Sequence, residues 1–346
     1  IYISRSSLVA IQVYEGPICL WPLLLGINCK DPAPATYDED MAPADLSRPT
    51  ADLSTAPRDL SMPPPDLSEG AAGLHSVWGV DSNNIWAVGG QFSGPSTILK
   101  WDGTTWNAQS NGATGVLQAV WGADINNVWA VGGELGGTAK ILKWNGTTWG
   151  METNAATELL NGIWGTGKNN VWAVGLHGTI LKWDGTAWIL QPTGTTKWLS
   201  DIWGTDSSNV WAVGEKGTIL KWNGATWVEQ TSSSTEFLLR VWGSDVNNIW
   251  AVGFNGAILK WNGMAWTAQP SGTTKYLLDV WGADANNVWA AGIDGVILKW
   301  DGAAWEAQTS GSTDYFYGLW GTGANRVWAI GGKGTILKWN GIAWVP

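Results

Sequence analysis

Four aromatic residues, Trp198, Phe237, Tyr276 and Tyr315, occupy one repeated place in this chain, each five residues before the tryptophan of an apolar-Trp-Gly motif. Lys197 and Lys275 precede two of them. Flat rings at equivalent places offer stacking surfaces for sugar rings or for the apolar side chains of a partner. A second varying set, His177, Lys216, Phe254 and Asp294, falls in short turns after a constant Trp-Ala-Val/Ala-Gly string. A third lies two residues before the motif tryptophan. There Asp201, Arg240 and Asp279 stand where other copies have Ser76, Ala119, Gly162 and Gly318. An arginine between two acids either takes a ligand or neutralises its neighbours.

Little else in the composition can do chemistry. His75 and His177 are the only histidines and Cys19 and Cys29 the only cysteines, so no zinc centre and no Cys/His or Ser/His/Asp constellation can be assembled. No Gly-rich loop opens a helix to cradle phosphate. The expectation is a protein without catalytic residues, metal or cofactor. The formal charge of -10 gives no basic surface for a polyanion, which argues against nucleic acid.

These residues must be positioned by a repeat. NNVWAVG occurs at residues 126–132 and again unchanged at 169–175, with near copies at 83, 208, 247 and 286. The first tryptophan of each unit falls at 78, 121, 164, 203, 242, 281 and 320, a period of 43 and then 39 residues. Such a period with four short apolar runs per unit marks propeller blades. The runs are LxxVWG, NVWAVG, GTILKW and a fourth from the tryptophan of DGTTW, rich in β-branched and aromatic residues and separated by Gly, Asn or Asp. The Asp-Gly or Asn-Gly step between runs three and four predicts a tight hairpin with positive φ angles. The fold expected is all-β: a seven-bladed β-propeller of four-stranded antiparallel blades over residues 74–346.

Four tryptophans in each of seven units account for all but Trp21 and Trp198 of the 30 present. A tryptophan that recurs at one place in every unit is expected in the core. The lysine of every ILKW, from Lys100 to Lys338, is expected to lay its stem along a neighbouring indole.

VWGTDSSNVWAVGEKGTILKWNGATW and its sister units resemble the Trp-rich bacterial propellers grouped with photosystem II stability/assembly factor-like proteins. They also resemble, more distantly, Asp-box (sialidase-type) repeats, through Asp-Gly-x-x-Trp at 102–106, 184–188 and 301–305. The box is degenerate, since Lys-Trp replaces its upstream Ser/Thr and Asp. A sialidase site would need several arginines, and the repeats hold only Arg240 and Arg326. The resemblance covers all of residues 74–346 and implies the fold rather than an activity.

Units differ where the fold leaves freedom. The Asn-Asn and Asp-Gly turns are nearly constant, whereas the turn after NVWAVG changes in every unit and is four residues longer in the first two. In a propeller that turn shares a face with the loop carrying Trp198, Phe237, Tyr276 and Tyr315. One variable face is therefore expected. The last fourth strand is short, which makes blade seven the expected place of opening.

Residues 1–29 carry Arg5, an apolar run from Ile18 to Ile27 and then Cys29, the pattern of a signal segment, with Cys29 as a lipidation candidate. Residues 30–73 form an acidic Pro/Ser-rich linker in which Asp45, Asp52, Asp59 and Asp66 recur seven apart, each before Leu-Ser, while proline forbids a continuous helix. The reading is a non-catalytic recognition module of a bacterial cell surface, or secreted, that binds a protein or glycan through its variable face. A lipid anchor would be its one link to a membrane. The alternatives are a multivalent lectin-like propeller and a structural module of a surface assembly.

Overall fold

The computed structural model describes residues 73–346 apart from Ser93, Leu135 and Lys333. Cys29, the signal-type segment and all but the last residue of the linker lie outside the described residues. The rest forms seven four-stranded antiparallel sheets, at residues 74–108, 116–151, 160–190, 199–229, 238–268, 277–308 and 316–345, each with its strands in chain order. First strands of successive blades pack side by side around a central channel, and fourth strands form the rim.

The heptapeptide is explained by the two faces of a blade. In blade five Trp242 pairs across the ladder with Trp250, and Trp250 with Lys260, so these three share one face. Alternation puts Ile249 and Trp261 on the other face, where Trp261 pairs with Trp266. At the six junctions from blade one to blade seven, the earlier blade thus presents a Trp-Trp-Lys face and the later one a Trp pair. At the junction of blades four and five, Trp211 of the former packs with Val241, Trp261 and Trp266 of the latter. Lys221 Nζ lies 5.0 Å from the Trp211 ring and 5.4 Å from that of Trp261. The lysine is a cation between two indoles of adjacent blades, a contact worth roughly 0.5–2 kcal/mol.

Tight approach sets the glycine of six of the seven Trp-Gly pairs, from Gly122 to Gly321. A Cβ on Gly243 would come 2.7 Å from the Trp203 ring of the preceding blade, so only glycine admits that indole. The Asn-Asn turn is closed by its acid: Asp245 Oδ1 accepts from Asn247 N at 2.8 Å and from Asn248 Nδ2 at 3.0 Å. The hairpin between strands three and four differs from the expected tight turn with positive φ angles along its Asp-Gly or Asn-Gly step. With Trp261 paired to Trp266 the loop has four residues, and only the glycine takes positive φ, 93° at Gly263. Asn262 stays in ordinary backbone space because its Oδ1 accepts from Met264 N and Ala265 N, both at 3.0 Å, and closes the loop instead.

Candidate functional site

The turn after strand two and the loop before strand one meet on one face and are joined by the backbone. Glu215 N donates to Trp198 O at 2.9 Å, Phe254 N to Phe237 O at 2.9 Å, Ile293 N to Tyr276 O at 3.0 Å and Gly332 N to Tyr315 O at 2.9 Å. Each aromatic main chain is therefore clamped by the variable turn of its own blade. The clamp needs the last glycine of the heptapeptide. A Cβ at Gly253 would lie 1.9 Å from Phe237 O, and the equivalent atoms at Gly214 and Gly292 would lie 1.8 Å from Trp198 O and Tyr276 O.

In blades three to six the turn is a single 3-10 turn whose second residue is left-handed: His177, Lys216, Asn255 and Asp294, with φ of 52–57°. All four are exposed. Lys216→Gly should raise stability by about 0.5–1 kcal/mol, measured by denaturant unfolding, since a lysine in this region carries a steric cost that glycine lacks.

The ring system is more closed than the sequence suggests. Trp198 and Phe237 meet edge to face at 6.4 Å, Phe237 stacks on Phe254 at 5.4 Å, and Phe254 on Tyr276 at 4.5 Å. One aromatic row thus runs over blades four, five and six. Phe254 is buried within it, at 7 % exposure. Val116, Leu159 and Leu176, with Phe92 and Trp198 against them, extend the row as an apolar cluster toward blade one. In blade seven Tyr315 is 42 % exposed and meets Tyr317 at 6.3 Å. Tyr317 and Phe92 were missed in the sequence. Tyr317 follows Phe316 at an inner-strand bulge, and a bulge leaves no mark in the apolar pattern.

Polar side chains around the row are paired locally: His177 Nδ1 lies 3.3 Å from Glu158, Lys197 Nζ pairs with Glu229 at 3.2 Å, Lys216 Nζ with Glu215 at 3.5 Å, and Lys275 with Asp294. These exposed pairs contribute little stability. Their effect is to give the face a mixed-sign rim around an apolar row.

Asp201, Arg240 and Asp279 lie on consecutive inner strands. Arg240 is within electrostatic reach of both acids, yet among the described residues no carboxylate oxygen lies within 4.0 Å of its guanidinium. Asp201 Oδ2 instead accepts from Val241 N at 3.0 Å and Asp279 Oδ2 from Leu319 N at 2.7 Å, each in the next blade. Arg240 Nη1 donates to Leu239 O at 3.0 Å. The acids therefore join blades.

Burial pushes both carboxyls up, Asp279 to about 6, with Arg240 pulling the other way. An acid whose folded pKa exceeds its unfolded value stabilises the fold as pH falls through the folded pKa, and that gain is lost as pH rises past it. Stability should therefore increase by about 1 kcal/mol between pH 7.5 and 5. Denaturant unfolding at both pH values should show Asp279→Asn losing that increment.

No family model and no curated relative matches the sequence. Solved structures do match. A YCF48 structure with a bound D1 peptide aligns at a TM-score of 0.60 and 18 % identity, over 78 % of this chain and 93 % of that one. The fold is a β-propeller, as in YCF48. YCF48 from Cyanidioschyzon merolae aligns at 0.59 and 18 %, over 78 % and 96 % of the two chains. The computationally designed Ika8 protein aligns at 0.65 and 18 %, over 80 % and 86 %. The WD40 repeats of RRP9 reach 0.61 at 8 % identity, over 75 % and 88 %. The resemblance carried by the tryptophan motifs is thus met in three dimensions, and at these identities it extends to the fold.

Proposed function

We propose that this propeller is a non-catalytic recognition module that binds a protein segment across its loop face, and that it works on the cell surface or after secretion. The observation that carries the reading is the confinement of length variation, together with the change of turn residues in every unit, to the one face where the structure assembles an aromatic row with a mixed-charge rim. A repeated frame whose turns vary on one side is what a scaffold presents to a partner. A YCF48 propeller of similar fold has been solved with a D1 peptide, which supports a peptide-sized ligand for a propeller of this kind. The lectin-like alternative asks for repeated exposed indoles. The tryptophan of strand two is fully buried in six blades, which favours one composite site over many equal ones.

The test is selection of the full chain against a displayed peptide library and, in parallel, a glycan array, each repeated with Tyr315→Ala and with His177→Ala/Lys216→Ala. Peptides enriched by the native protein, with affinity falling at least fivefold in either variant, are the expected result. Sugar binding that both variants leave intact would overturn the reading. Protease shaving of intact cells of the source bacterium tests the location: loss of the propeller from shaved cells, or its recovery from the medium, is expected.

A further inference from the structure

Six junctions between blades are copies of one interface. At each of them the strand-two tryptophan (Trp86, Trp129, Trp172, Trp211, Trp250 or Trp289) is 0 % exposed. The strand-one tryptophan rests where the next blade has its glycine. Each strand-three lysine from Lys100 to Lys299 lies over one ring of its own blade and one of the next.

The junction between blade seven and blade one has the same residues on its walls, but among the described residues their inner strands do not pack as the other six pairs do. Trp328 is only partly buried. Lys338 Nζ lies 5.7 Å from the Trp328 ring and, among the described residues, over no second ring. A Cβ at Gly321 would lie 2.4 Å from the Trp281 ring, whereas the three atoms nearest to one at Gly79 belong to Asn84 and Ile85 in its own blade. Val77 is 46 % exposed, while its equivalents Ile202, Val280 and Leu319 are at 3 %, 4 % and 7 %. Among the described residues no core cluster joins the two blades.

We propose that this seam is an interaction surface for one further four-stranded β-blade of the same code. The two walls are different halves of the repeated interface. Blade seven offers the Trp-Trp-Lys half through Trp320, Trp328 and Lys338, and blade one offers the other through Val77, Gly79 and its Trp101–Trp106 pair. An occupant that satisfies both must carry one half on each face, which is what a single blade of this repeat carries. A second copy of the whole ring presents each half only at its own seam, backed by six more blades on the same circle, and continuing that circle in plane would drive it into the first ring. The surface is distinct from the loop face and the inference does not depend on that reading.

The test appends a copy of residues 269–308 after Pro346 and compares Trp328→Ala with Trp289→Ala, by thermal melting, in the native and the extended chain. In the native chain the Trp328→Ala shift in Tm should be less than half that of Trp289→Ala, with a monomer in sedimentation. In the extended chain the two shifts should become equal and the parent Tm should rise. Val77→Ala against Val280→Ala gives the same comparison at smaller cost if Trp289→Ala fails to fold. Equal shifts in a monomeric native chain would mean that blades seven and one shut on each other, and would overturn the proposal. So would a dimer abolished by Trp328→Ala, since a second copy would then be the occupant, or an appended unit that leaves the Trp328→Ala shift unchanged.

Discussion

Trp250→Ala should cost the propeller about 4 kcal/mol, the largest single loss expected from one strand-two position. The indole is 0 % exposed, stacks on Trp242 with ring centroids 5.8 Å apart, and sits beneath Lys260 Nζ at 5.1 Å. Across the junction it packs with Leu277, Val280, Trp300 and Trp305 of blade six. Truncation removes the transfer free energy of the ring and leaves a cavity walled by two rigid sheets that cannot collapse into it. It also strips Lys260 of one of its two indoles. Guanidinium unfolding followed by far-UV circular dichroism would read the loss as a lower midpoint. Met264→Ala serves as the control, because that side chain is 86 % exposed at a hairpin tip and its removal should stay within about 0.5 kcal/mol. A Trp250→Ala midpoint no lower than that of Met264→Ala would show that the repeated heptapeptide is not a packing element.

The blade was legible in the sequence because its information is local and periodic. Alternation within Asn-Val-Trp-Ala-Val-Gly assigns faces, and seven copies average out the noise of any one. What stayed hidden depends on pairing at a distance. The bulge that places Leu239 out of register before Arg240 has no signature in residue type, so the geometry of Asp201, Arg240 and Asp279 could be located on the inner strands but not oriented. Their acids turn to the backbone of the next blade because a blade junction offers free N–H groups there, and no spacing within one unit reveals that. Phe254 and Tyr276 appeared as separate candidates 22 residues apart, yet they stack, because the turn of one blade leans on the loop of the next. The hairpin differed from expectation for a related reason: Asn262 reaches back to two amide groups, a closure that a dipeptide preference does not anticipate.

Gly253→Ala should disturb the loop face as well as the fold, because this glycine holds the aromatic row in place. Its φ of -175° is extended backbone that any residue adopts, so the constraint is close approach rather than conformation. An added methyl would stand 1.9 Å from Phe237 O and 2.9 Å from Leu238 Cα, both main-chain atoms that cannot rotate away. Relief requires the loop carrying Phe237 to lift, which breaks the 2.9 Å bond from Phe254 N to Phe237 O and parts the Phe237–Phe254 stack. The expected cost is about 3 kcal/mol, at the upper end for an overpacked site because the colliding atoms belong to the backbone. Gly272→Ala is the matched comparison: its φ is +70°, but a Cβ there meets nothing within 4 Å, so its penalty should be only about 1 kcal/mol of backbone strain. Hydrogen exchange separates the two effects. The Phe254 amide should lose protection in Gly253→Ala and keep it in Gly272→Ala, and any peptide bound at the loop face should weaken with the first substitution by more than the second.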